Sequence, residues 1–187
     1  MSQSWSLLRF SGIIAIIIGW ITIFLTAFLH PWFSLEKNAL SDLGALNVPD
    51  NYIFNFGLML SSIPIFLYGL YLAKNLNKLG CTGGVFLVIA SVSLFLIGLY
   101  PEGTYPHLFV SVEFFVSVLV ASLIISLSLL TLGFKKHGLS GLTLTWICII
   151  LALTVPWPSI GTLEVEVLLF ITIWLIVMLH YHLTTGK

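Results

Sequence analysis

Seven polar side chains in this sequence are of types that do chemistry: His30, Ser41, Asp42, Asn55, Glu102, His107 and Glu113. Imidazoles and carboxylates brought together act as general acids and bases, and an Asp42 and His107 pair beside Ser41 would suit hydrolysis or group transfer. Asp42, His107 and Glu113 also belong to the donor set of a hydrolytic zinc site. Their scattered spacing has no H-E-x-x-H-like signature, so a metal would depend on the fold to gather its ligands. Either chemistry requires the intervening elements to bring positions 30 to 113 to one place.

Those elements follow from composition. A chain of 187 residues that is 59% hydrophobic and 7% charged, with mean hydropathy +1.12, lacks the charge to clothe a water-soluble domain. Runs of about 20 uncharged residues predict six transmembrane helices, near 10–29, 52–73, 80–100, 108–132, 141–157 and 164–182. The fold class is therefore all-α, a polytopic membrane protein with one six-helix bundle over residues 1–187. The fifth span is the shortest, cut by Pro156, Trp157 and Pro158. Arg9 precedes a run from Phe10 to Leu29 that exceeds a signal-peptide core and has no small-residue cleavage site after it, so it is expected to stay as the first span. Zero net charge and no basic run longer than Lys135-Lys136 exclude a nucleic-acid partner. Cys81 and Cys148 show no metal or redox spacing and read as packing thiols.

The polar residues are distributed by depth. Arg9, Lys74, Lys78, Lys135, Lys136 and Lys187 fall on one predicted side and only Lys37 on the other, which places both termini in the cytoplasm by the positive-inside rule. The acidic residues gather on the outer side, three of them (Glu36, Asp42 and Asp50) in the outer polar loop 30–51. Asp50, Glu164 and Glu166 are explained by the favourable field at helix N-termini. In the first span Thr22, Thr26 and His30, spaced by four, make a polar stripe expected to face other helices. Asp50 or Asn51 should cap the second span and Thr104 the fourth. Asn55 needs a partner, with Asn51 and the loop above it as candidates, and Pro64 should kink its helix. His107, Ser111, Glu113 and Ser117 share one arc of the fourth span, with Glu113 roughly 9 Å deeper than His107. An ionisable group at that depth is a site hypothesis by default. Lys135-Lys136-His137 reads as a cytoplasmic turn, and His180 and His182 as solvated or interfacial residues.

The succession Ser41-Asp42-Leu43-Gly44, Asn47-Val48-Pro49, Phe54-Asn55, Tyr100-Pro101-Glu102 and His107 resembles the prokaryotic membrane family filed as domain of unknown function 998. It is more distantly similar to the DRAM- and Frag-type six-helix membrane proteins. The resemblance spans most of the first four helices and implies a six-helix bundle with those motifs on one face, and no established reaction.

Two functions from different classes fit. One is an outward-facing polar pocket, formed by the loop folding down between helices one, two and four, that holds a lipid headgroup, a small ligand or a metal; a lipid-directed hydrolase or transferase is its enzymatic form. The other is an accessory or structural subunit of a membrane complex without chemistry of its own. A b-type haem between His30 and His107 is weaker, because haem ligands sit deeper on facing helices, and so is transport, because no paired broken helices appear. No cofactor is specified; the expected partners are membrane lipids and other membrane subunits, and the expected location is the cell membrane as a multi-pass protein. The orientation is testable by cysteine substitution: position 37 should react with an impermeant reagent from outside and position 74 only from the cytoplasm, and labelling of position 37 from the cytoplasm alone would reverse it.

Overall fold

The computed structural model describes residues 6–186, and every regular element in it is helical. Six helices are long and apolar enough to cross a bilayer: α1 (Ser11–Leu29, led in by a 3-10 turn at Leu8–Phe10), α2 (Tyr52–Asn75), α3 (Lys78–Leu99), α4 (His107–Thr131), α5 (Lys135–Thr154) and α6 (Ile160–Thr185). Only closed hydrogen bonding within each segment lets a chain this apolar cross lipid. Six spans return both termini to one side, where Arg9 Nη1 donates to the Gly186 carbonyl (3.4 Å). The chain is thus a multi-pass membrane protein.

The helices pack as a ring in chain order. Contact is most extensive between α2 and α3 and between α3 and α4, while α6 closes the ring by sparse contact with α1 and α4. The tight pairs rest on glycine, since helices in lipid associate by close packing rather than by expelling water. At Gly84 of α3 a Cβ would lie 2.5 Å from the Ala73 nitrogen and 2.7 Å from the Gly69 carbonyl of α2. The loose closure is clasped by a side-chain bond, Trp20 Nε1 of α1 donating to Thr172 Oγ1 of α6 (3.0 Å).

Several expectations change. Lys135-Lys136-His137 is the first turn of α5 rather than a loop, so α5 begins at Lys135 and reaches 20 residues, about 30 Å and sufficient to cross. Asn51 precedes α2 without a side-chain cap bond; its Nδ2 donates to the Ala45 carbonyl (2.8 Å). Thr104 does not cap α4 either: its hydroxyl turns back to the Pro101 carbonyl (2.8 Å) and Pro106 occupies the cap position. His182 is not interfacial. It is 1% exposed, with Nε2 2.9 Å from the Tyr68 hydroxyl and edge-on contacts to Tyr71. The reason is that α6 continues to Thr185, which puts His182 on the bundle face, about 200° around the helix from His180. His180 does stay exposed, its Nδ1 2.9 Å from His137 Nε2 of α5.

The glycine contacts give a paired prediction. Gly84→Val forces side-chain carbon into backbone and should cost about 1–3 kcal/mol, whereas Gly19→Ala, whose Cβ would meet only Ser61 Oγ at 3.6 Å, should be neutral or stabilise by up to about 1 kcal/mol. Thermal unfolding of both variants in one detergent checks the order.

Candidate ligand cavity beneath the outer loop

The outer loop is organised at the short 3-10 turn Leu40–Gly44. A turn of this kind begins with backbone N–H groups that find no partner within it, and at the rim of a bilayer water does not reliably supply one. Two carboxylates do. Asp42 Oδ2 accepts from the Ala39 amide (3.0 Å) and from Asn38 Nδ2 (3.1 Å). Glu164 of α6, distant in the chain, reaches across so that its Oε2 accepts from the Leu40 amide at 2.6 Å. Charge-assisted bonds of this kind are the strong class.

Other helix-borne groups complete the attachment. The Gly161 amide donates to the Asn38 carbonyl (3.2 Å), an approach that leaves no room for a side chain at Gly161. Ser159, which caps α6 by accepting from the Thr162 amide (3.0 Å), donates to the Leu35 carbonyl (2.5 Å). Asn55 Nδ2 donates to the Gly44 carbonyl (2.9 Å), resolving its predicted need in favour of the loop. His30 is buried at the end of α1, with Nδ1 2.7 Å from the Thr26 carbonyl and Nε2 2.9 Å from the Pro49 carbonyl. The ring is thereby held between the end of α1 and the loop. The Thr22, Thr26 and His30 stripe is buried, as its period implied.

A second cluster stands at the head of α4. His107 is 5% exposed; its Nδ1 faces the Tyr100 carbonyl (2.8 Å) and its Nε2 the Glu102 carboxylate (3.0 Å). Glu102 also accepts from Ser41 Oγ (3.4 Å), and its backbone carbonyl accepts from the Leu46 amide (3.1 Å). Asp42 is therefore held by the start of its own turn, and His107 is engaged with Glu102 and Tyr100. The order is imidazole, carboxylate, hydroxyl, with the carboxylate in the middle. The imidazole therefore does not reach the Ser41 hydroxyl, and the contacts shown tie the loop to the head of α4. Glu113 accepts from Ser117 Oγ one turn deeper on α4 (2.8 Å) and lies outside the cavity lining. The structure thus joins Ser41, Glu102 and His107 directly, joins Asp42, Asn55 and His30 to the same loop through backbone groups, and sets Glu113 apart. Among the described residues no three His, Cys, Asp or Glu side chains come together to hold a metal, and Asp42, His107 and Glu113 each bond to different partners.

Beneath the loop lies a cavity of about 110 Å³ bounded by α1, α2, α3, α4 and α6. Its depth is apolar, with Ile16, Ile65, Phe115 and Leu175 among the walls, and its outer end carries Leu40, Ser41, Ser111 and Glu164. Of the seven residues singled out from the sequence only Ser41 lines it. Most polar side chains of the wall are spent within the protein: Ser61 Oγ donates to the Ala15 carbonyl (2.9 Å), and Thr172 is engaged with Trp20 and the Leu168 carbonyl. Two groups are not. Among the described residues neither Ser111 Oγ nor Glu164 Oε1 makes a hydrogen bond, and both line the outer end. Sequence reasoning missed Glu164 because its place near the start of α6 already gave it a sufficient electrostatic explanation. The signal that could have found it is the one applied to Glu113, a carboxylate inside an apolar span.

The two carboxylates make separable predictions. Glu164→Ala leaves the Leu40 amide without its acceptor and should speed hydrogen exchange there, with a loss of about 1–3 kcal/mol. Asp42→Ala should act first on the neighbouring Ala39 amide. Residue-resolved exchange in a membrane mimetic distinguishes the two.

No curated protein and no solved structure matches the chain, and the wider likeness to DRAM- and Frag-type proteins is shown by no match. A family model described as Protein of unknown function (DUF998) matches residues 13–181, from the first turn of α1 to near the end of α6. Since that match takes in the loop, the cavity walls and all six helices, the chain belongs to this DUF998 family of proteins of unknown function.

Proposed function

We propose that the protein binds a small amphiphile of the bilayer, with its apolar part in the cavity and its polar end under the outer loop, at the external face of the cell membrane. The observation that carries this reading is the division of the cavity. Its depth is apolar, and the unspent polar atoms, Ser111 Oγ and Glu164 Oε1, are confined to its outer end. An apolar void of comparable size, about 150 Å³, stays dry in water-soluble proteins and accepts apolar molecules. Spaces between the helices of a bundle, apolar with a few convergent polar groups, are where small ligands bind, and this one of about 110 Å³ has that make-up. The expectation of a polar pocket among the outer loop residues is thereby narrowed: the loop supplies the roof, and the ligand space lies beneath it. A lipid or another small amphiphile suits these walls, a metal ion does not, and no reaction is assigned.

Gly19 provides the test. It lines the cavity, and a Cβ there meets nothing closer than 3.6 Å, so Gly19→Leu should fill the space without moving backbone. The variant should fold with undiminished thermal stability and lose whatever lipid or small amphiphile the wild type retains through purification, as read by native mass spectrometry. Retention of the same molecules by a folded Gly19→Leu protein would place them elsewhere and end the proposal.

A further inference from the structure

We infer that the molecule held in the cavity carries an amine at its polar end. This rests on the cavity reading above and adds the chemical class of the headgroup. The outer end of the cavity offers acceptors and a carboxyl group that a bound ammonium would hold in its charged form. Glu164 is the acidic residue of the lining; one oxygen is fixed by the Leu40 amide and the other is unspent. Ser111 Oγ is likewise unspent, and Ser41 directs its proton to Glu102, which leaves its oxygen lone pairs for an incoming donor. An ammonium group has three donors and no acceptor, which matches three oxygens.

The surroundings oppose an anion. Asp42 and Glu102 are the other carboxylates close enough to Glu164 to act on it electrostatically, and both stay on the loop side of the cavity. The basic side chains of this face are not at the site: Lys37 is exposed, His30 is committed to two carbonyls and His107 to Glu102 and Tyr100, and none of the three lines the cavity. The loop from 30 to 51 carries Glu36, Asp42 and Asp50 against the single Lys37. A fatty acid or a phosphate head would meet carboxylates with no basic partner. An alcohol would find acceptors but gain nothing from the charge.

The test uses the full chain in nanodiscs of zwitterionic lipid and three probes of six carbons each: n-hexylamine, n-hexanol and hexanoate. Calorimetric titration of Gly19→Leu protein under the same conditions gives the part due to partition into the bilayer, and the difference from wild type is cavity binding. The amine should bind at least tenfold tighter than the alcohol, about 1.4 kcal/mol, and hexanoate should bind weakest. Glu164→Gln keeps an oxygen for the Leu40 amide but removes the charge, and should erase most of the preference for amine over alcohol. Ser111→Ala should weaken the amine severalfold and provides a second readout if Glu164→Gln folds poorly. Equal binding of amine and alcohol by the wild type would overturn the amine assignment and leave the cavity reading standing. Absence of cavity binding by all three probes would overturn both.

Discussion

The bond from the Leu40 amide to the Glu164 carboxylate is the contact on which the outer half of the molecule depends. A non-helical loop at the edge of a bilayer has no guaranteed water for its peptide groups, so each buried group must be met by the protein. The loop meets that demand by borrowing partners from the helices around it: Asn55 from α2, Glu164 and the Gly161 amide from α6, and His30 from the end of α1. The concentration of Asp, Asn, Glu and His near this face is first a solution to backbone hydrogen bonding. Chemistry at the site is left to the few atoms that this solution does not use.

The same bond governs the cavity. The helix α6 touches α1 and α4 sparsely, so its position depends on the Trp20 to Thr172 clasp near mid-span and on its attachment to the loop at the outer end. Held at both places and packed at its inner end against Tyr68 and Tyr71 of α2 through His182, α6 leaves a gap toward the outer half of the ring, and that gap is the cavity. Glycine marks the contrast: Gly69 and Gly84 bring α2 and α3 together to backbone contact, while a Cβ at Gly19 would make only an ordinary contact with Ser61 Oγ at 3.6 Å. Tight packing in one half of the ring and a deliberate gap in the other follow from the placement of residues without side chains.

The sequence made the architecture legible because a helix that crosses a membrane writes about 20 uncharged residues in a row. The exception, the start of α5, misled because Lys135 and Lys136 look like the end of a span, whereas long basic side chains can extend toward water from the first turn of a helix. Within the site, the loop around Asp42 was legible as an organising stretch, and Asn55 as a residue in need of a partner. The pairing of Leu40 with Glu164 was not. Contacts between positions so far apart leave no periodic trace, and a carboxylate near the start of a helix already has a local explanation. Glu113 drew attention for its depth, yet it bonds Ser117 on its own helix and lies outside the cavity lining, while its neighbour Ser111, with no charge to mark it, lines the cavity.

An experimental density map of the protein extracted directly into native lipid nanodiscs is the most direct test of this account. It should show an elongated molecule running from Ile65 and Leu175 toward the outer end of the cavity, with a polar terminus within hydrogen-bonding distance of Glu164 and with Leu40 still on the opposite carboxylate oxygen. A cavity closed by inward movement of Trp20 or Phe115, or one occupied only by water, would contradict it.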